Sequence, residues 1–253
     1  MSHLSGKSVI ITGASRGIGA AAARHLAKEG ALVTLAARSA DALGQIAEDI
    51  REEGGTALAH PCNIADPDDV KTLIETASAA HGGLDLLVNN AGLIDPIARL
   101  EDSDPDAWSM IVDVNLKGVY YGMRFAIPAM AGSGTIINIS SGAATGALEG
   151  WSHYCATKAA VLSLTKCGHK EHGDSGITVV GLSPGTVATE MQVQIKASGI
   201  NPVSQLDPED HIPPEWVAQA IAYLAGPDGA AHAGGDFSMK TAEGRAALGL
   251  PAP

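Results

Sequence analysis

A chain of 253 residues, 45% hydrophobic and 17% charged, is long and apolar enough to bury a sizeable core and does not read as a disordered protein. Its formal net charge of −12 argues against a nucleic-acid partner, which would need a basic surface. There is no apolar run near the ~20 residues of a membrane span, no charged-then-apolar leader pattern, and no metal-ligand spacing among Cys62, Cys155 and Cys167, so a cytoplasmic protein with reduced thiols and no metal is expected.

Apolar, strand-like runs alternate with amphipathic stretches along the chain. Strands are expected at 8–12, 32–37, 57–61, 86–89, 134–139, 178–182 and 235–238. Helices are expected at 17–29, 40–53, 66–81, 105–130, 151–172 and 214–224. This alternation predicts an α/β protein with a doubly wound parallel sheet and helices on both faces. No repeat or Pro/Gly/Ser linker divides the chain, so residues 1–253 read as a single domain. The one long irregular stretch, 186–213, follows a strand end, where ligands bind in this architecture; it reads as a mobile lid over substrate.

The first strand runs into Thr12-Gly13-Ala14-Ser15-Arg16-Gly17-Ile18-Gly19, after which Ala20 to Lys28 favour helix. Glycines let a backbone approach a phosphate closely, and the N–H groups of a new helix face its charge. The G-x-x-x-G-x-G spacing departs from the G-x-G-x-x-G fingerprint, and a ligand-free tight turn would also use glycine. Further on, Tyr154 and Lys158 stand four apart, on one face of the expected helix. An ammonium about 5 Å from a phenol, at an effective dielectric of about 20, favours the phenolate by about 3 kcal/mol before desolvation is subtracted. Such a pair makes a tyrosine usable as a general acid or base.

Thr12 to Gly19, Asn89-Asn90-Ala91-Gly92, Asn115, Ser140-Ser141, Tyr154 with Lys158, and Pro184-Gly185 together resemble, in this order, the short-chain dehydrogenase/reductases, over roughly residues 7–237. The resemblance implies a Rossmann fold, a nicotinamide cofactor and transfer of the pro-S hydride. It implies a catalytic set of Asn115, Ser141, Tyr154 and Lys158. Tyr154 would exchange the proton and Ser141 would hydrogen-bond the substrate oxygen. Lys158 would lower the tyrosine pKa and hold the nicotinamide ribose, and Asn115 would hold a relay water. Ser141 is preferred over Ser140 because it falls thirteen residues before Tyr154, the family's usual register.

Cofactor contacts are implied for Gly13, Ser15, Arg16, Gly17, Ile18 and Gly19 at the first turn, Asn63 and Ile64 after the third strand, and Asn90, Ala91 and Gly92 after the fourth. Tyr154 and Lys158 join them, with Pro184, Gly185, Thr186, Val187 and Thr189 beyond the sixth strand. Ala37 stands where NAD-preferring members carry Asp, and Arg38 follows it. An arginine can bind a 2′-phosphate through two parallel N–H bonds, so NADP(H) is expected, with NAD(H) as the alternative.

The segments around Tyr154 and Pro184 resemble the sepiapterin-reductase-like branch, which implies a ketone or vicinal diketone as substrate. Ser141, Leu93, Ile94, Leu148, Trp151, His153 and Met191 would line its pocket, and Asp236 is either a substrate anchor or a solvated strand-end residue. An NAD-linked alcohol or sugar dehydrogenase, a 3-oxoacyl-(acyl-carrier-protein) reductase and a non-catalytic dinucleotide sensor are the competing readings. A homodimer or homotetramer built on helices 105–130 and 151–172 is expected, and the 240–253 tail either reaches a neighbouring subunit or frays.

Overall fold

The computed structural model describes residues 2–253. Its centre is β1 (Ser8–Thr12), whose five residues are all buried. A parallel strand covered by helices on both sides has no wet face, so it reads as a continuous apolar run. Odd and even positions still separate. Val9 and Ile11 enter one core, whereas Ile10 enters the other. Each such side chain contributes roughly 1.5–3 kcal/mol by leaving water.

Six more strands join in parallel: β2 (Leu32–Ala37), β3 (Thr56–Pro61), β4 (Leu86–Asn89), β5 (Gly134–Ile139), β6 (Ile177–Ser183) and β7 (Asp236–Ser238). The order β3-β2-β1-β4-β5-β6-β7 reverses direction between β1 and β4, and a crevice opens at the carboxyl ends of strands where this happens. Helices α1 (Gly17–Lys28), α2 (Ala40–Glu52) and α8 (Pro214–Ala225) cover one face. The other is covered by α3 (Pro67–His81), α5 (Gly118–Ala129) and α6 (Ser152–His172).

The predicted helix over 105–130 is interrupted. Helix α4 (Pro105–Val112) passes into a π turn at Asp113–Lys117 before α5 begins. The 186–213 stretch is not irregular either. It holds α7 (Glu190–Ser198), which ends at left-handed Gly199, and 3-10 turns at Pro202–Gln205 and Pro208–Asp210. Only Ile195 of α7 is buried, so no apolar stripe announced this helix. Asn201 ties the segment to the loop before α6 by donating from Nδ2 to the Glu149 carbonyl at 3.0 Å.

The tail folds back on its own chain. Thr241 caps α9 (Ala242–Ala247), and the Arg245 guanidinium donates to the Met239 carbonyl at 2.8 Å and lies 5.1 Å from the Trp216 ring centroid. Leu248 and Leu250 pack against the main core. No helix among the described residues is long and apolar enough to cross a membrane.

Candidate active site

A cavity of about 1400 Å³ lies over the carboxyl ends of the strands. Its floor at one end is the turn after β1. Gly13 has φ +65°, and a Cβ there would sit 2.8 Å from the Ala91 Cα. Asn90 holds this turn down by donating from Nδ2 to the Thr12 and Gly13 carbonyls at 2.9 and 3.2 Å. The Thr12 hydroxyl accepts from the Asn90 and Ala91 N–H groups at 3.0 and 3.1 Å and donates to the Val88 carbonyl. Arg16, which precedes the first residue of α1, gives that helix no side-chain cap, and Ser15 to Ile18 line the cavity. By contrast, α3 has Asp66 accepting from its first N–H groups. A turn with glycine at both ends, tied by Asn90 to the end of β4 and leading into an uncapped helix, fits a dinucleotide's phosphates.

At the other end stand Tyr154 and Lys158, one turn apart on α6 and 8% and 5% exposed. Lys158 Nζ donates to the Ile139 carbonyl at 2.7 Å and lies 5.6 Å from the Tyr154 ring centroid. Trp151 meets that ring edge-on at 5.5 Å. Ser141 follows β5, and its Oγ accepts from the Ala143 N–H at 3.2 Å.

Burial governs the protonation of this group. It pushes the Tyr154 phenol up to about 12 against the opposing pull of the Ser141 hydroxyl. It pushes Lys158 down to about 8, with the Asp236 carboxylate acting in the other direction. A lysine that lowers the tyrosine pKa was expected; in the folded chain burial dominates, and the group that pulls the phenol down is the Ser141 hydroxyl.

Asn115 sits inside the π turn, 1% exposed. Its Oδ1 accepts from the Leu93 N–H at 2.8 Å, and its Nδ2 donates to the Leu93 carbonyl at 2.9 Å. The side chain therefore completes the backbone of the cavity wall, with one amide hydrogen and one lone pair left over. Asn115→Leu would strand both Leu93 backbone groups, and a loss of about 2–4 kcal/mol is expected in guanidinium unfolding, with turnover falling as the wall loosens.

The family model for short chain dehydrogenases matches residues 7–199. The chain belongs to the short-chain dehydrogenase family. It is similar to cyclohexanol dehydrogenase from an Acinetobacter species, with 34% identity over 88% of each chain. It is also similar to 3-oxoacyl-[acyl-carrier-protein] reductase from Staphylococcus aureus, with 39% identity over 73% of this chain and 76% of the relative. Among solved structures, a short chain dehydrogenase from Burkholderia cenocepacia in complex with NADP superposes with a TM-score of 0.83 and 31% identity, covering 94% of this chain and 97% of that one.

In this short-chain dehydrogenase the cavity gathers nearly all the residues singled out in the sequence. The first turn, Arg38, Asn63 and Ile64, the Asn90–Gly92 turn and the Pro184–Thr189 segment all line it, as do Ser141, Tyr154 and Lys158. Leu93, Ile94, Leu148, Trp151 and Met191 form its apolar end. Asn63 Oδ1 already accepts from the Ala65 N–H at 3.3 Å in a local turn.

Four residues sit elsewhere. Gly19 lies beneath the first turn, where a Cβ would overlap the Gly13 carbonyl oxygen. Asn115 stands behind Leu93. His153, expected in the pocket, is fully buried outside the lining; its Nε2 donates to the Ile94 carbonyl at 2.6 Å, and burial pushes its pKa down. Asp236 is not a lining residue, and its Oδ2 accepts from the Ser140 hydroxyl at 3.1 Å. Sequence reasoning missed Lys240, which reaches the cavity over Gly185. A lone cation in an Ala/Gly/Pro tail gave no signal for it.

Proposed function

We propose that the protein is an NADPH-dependent carbonyl reductase, reversible as a secondary-alcohol dehydrogenase, acting on a ketone or vicinal diketone. The observation that carries this reading is one cavity with Ser141, Tyr154 and Lys158 at its apolar end and two cations, Arg16 and Arg38, at the other. Among the described residues neither arginine forms an ion pair, so both guanidinium groups are available to a 2′-phosphate.

The Gly13–Ile18 turn would take the pyrophosphate, with Asn63 and Ile64 beside the adenine and Asn90 to Gly92, Pro184 to Val187 and Thr189 along the rest of the dinucleotide. When bound, the nicotinamide supplies or accepts the hydride. Ser141 donates a hydrogen bond to the substrate oxygen and orients the carbonyl. Tyr154 hands its proton to the oxygen as negative charge develops there. Lys158, pinned on the Ile139 carbonyl, holds a positive charge beside the phenol.

Leu93, Ile94, Leu148, Trp151 and Met191 carry no charge, which favours an uncharged apolar substrate, and the similarity to a cyclohexanol dehydrogenase supports this. The net charge of −12 disfavours an acidic carrier protein despite the similarity to an acyl-carrier-protein reductase. In this reading residues 1–253 act as one domain in the cytoplasm, with 186–213 as the substrate lid. Met110 and Tyr120, exposed at 49% and 46% on α4 and α5, support a homodimer or homotetramer.

The test is absorbance at the reduced-nicotinamide band, with NADPH and NADH in parallel, against diketones, cyclic and simple ketones, and acetoacetyl esters. Diketone or cyclic-ketone turnover with NADPH is the expected result. Activity with NADH alone would overturn the cofactor assignment and leave the Tyr154 chemistry standing.

A further inference from the structure

Asp236 is the first residue of β7, two strands away from the β5 end that carries Ser140 and Ser141. It reaches Ser140 nevertheless. Residues Asn138, Gly181 and Asp236 form one row across β5, β6 and β7. The Asn138 amide donates to Thr165 of α6, so this row faces the α6 side of the sheet. Gly181 leaves the middle of the row bare: a Cβ there would lie 2.6 Å from Asp236 Oδ1. The carboxylate crosses β6 through that gap and accepts from the Ser140 hydroxyl at 3.1 Å. The residue before Ser140 is Ile139, whose carbonyl holds the Lys158 ammonium at 2.7 Å.

We propose that Asp236 is a positioning residue for the reaction: its carboxylate, laid across Gly181 and anchored by Ser140, is the counter-charge that keeps Lys158 an ammonium beside Tyr154. The inference rests on the function proposed above for Lys158. It gives Asp236 a place behind the site rather than in contact with substrate.

The charges around the pair are few. Lys158 is faced by Tyr154 on its own helix and by Asp236 from β7, while β5 and the short turn at Gly142–Ala144 present only uncharged groups. Asp236 is faced by Lys158 and by Lys166, both on α6. Burial pushes Asp236 upward, and the Ser140 hydroxyl and the two lysines pull it back. Lys158 is pushed down to about 8 by burial, and Asp236 is what opposes that push. Removing the carboxylate therefore lets Lys158 lose its proton at lower pH.

The experiment follows the Lys158 side chain directly by NMR in lysine-labelled protein, with Lys158→Met for assignment, alongside the pH profile of kcat. In Asp236→Asn the Lys158 titration and the alkaline limb of kcat are both expected to move to lower pH by about half a unit, roughly a threefold change in the ammonium-to-amine ratio. Asp236→Glu should restore part of the shift. A purely structural role would lower kcat at every pH and leave the titration in place, and an unmoved Lys158 titration overturns the proposal. Should Asp236→Asn fail to fold, Ser140→Ala releases the anchor, and a smaller shift in the same direction is expected; no shift there is equally fatal. If Lys158 moves while Tyr154→Phe keeps full turnover, the counter-charge stands and the proposed chemistry falls.

Discussion

Tyr154→Phe is expected to lower kcat by about 10²- to 10⁴-fold, the usual contribution of a positioned general acid. The ring would still fill its place against Trp151, so NADPH affinity and thermal stability should change little. With burial pushing its pKa up to about 12, the phenol holds its proton throughout the neutral range. Steady-state kinetics together with a fluorescence titration of NADPH separates the two quantities. Retained turnover would remove Tyr154 from the mechanism.

The second large effect is expected at Arg38. It stands exposed beyond β2, at the rim of the cavity and without an acidic partner among the described residues. Arg38→Asp would replace charge-assisted hydrogen bonds to a 2′-phosphate with repulsion, and would offer a ribose diol the carboxylate that NAD sites use. The KM for NADPH should rise by about 10- to 100-fold while that for NADH falls. The comparison to make is kcat/KM for both cofactors in the wild type and the variant. An unchanged ratio would favour an NAD-linked dehydrogenase on the same scaffold.

Much of this molecule is local, and local features were readable. The strand spans at 8–12, 32–37, 86–89 and 134–139 coincide with β1, β2, β4 and β5, because buried parallel strands are short apolar runs between turn residues. The first turn, Tyr154, Lys158 and Ser141 were found because their chemistry demands particular residues at particular spacings. What escaped depends on distant neighbours. Tyr154 looked acidified beside Lys158 until burial was known. His153 looked like a pocket residue, since nothing in its surroundings marks it as the pin of the Ile94 carbonyl. The single helix expected at 105–130 contains no proline between Pro105 and Pro128, and the π turn at Asp113–Lys117 keeps helical backbone on both sides, so no helix-breaking proline reveals it. Asp236 reaches Ser140 only because Gly181, 55 residues earlier, lacks a side chain.

The π turn imposes a rule of counting on this part of the chain. An α-helix advances each side chain by about 100°, so a single residue gained or lost between Pro105 and Asn115 would swing the amide a quarter-turn or more from Leu93. Substitutions along α4 can trade one side chain for another of similar size. An insertion or deletion that stays within the helix is expected to turn Asn115 away from Leu93, because the wall of the cavity depends on the number of residues leading to Asn115 as well as on their kind.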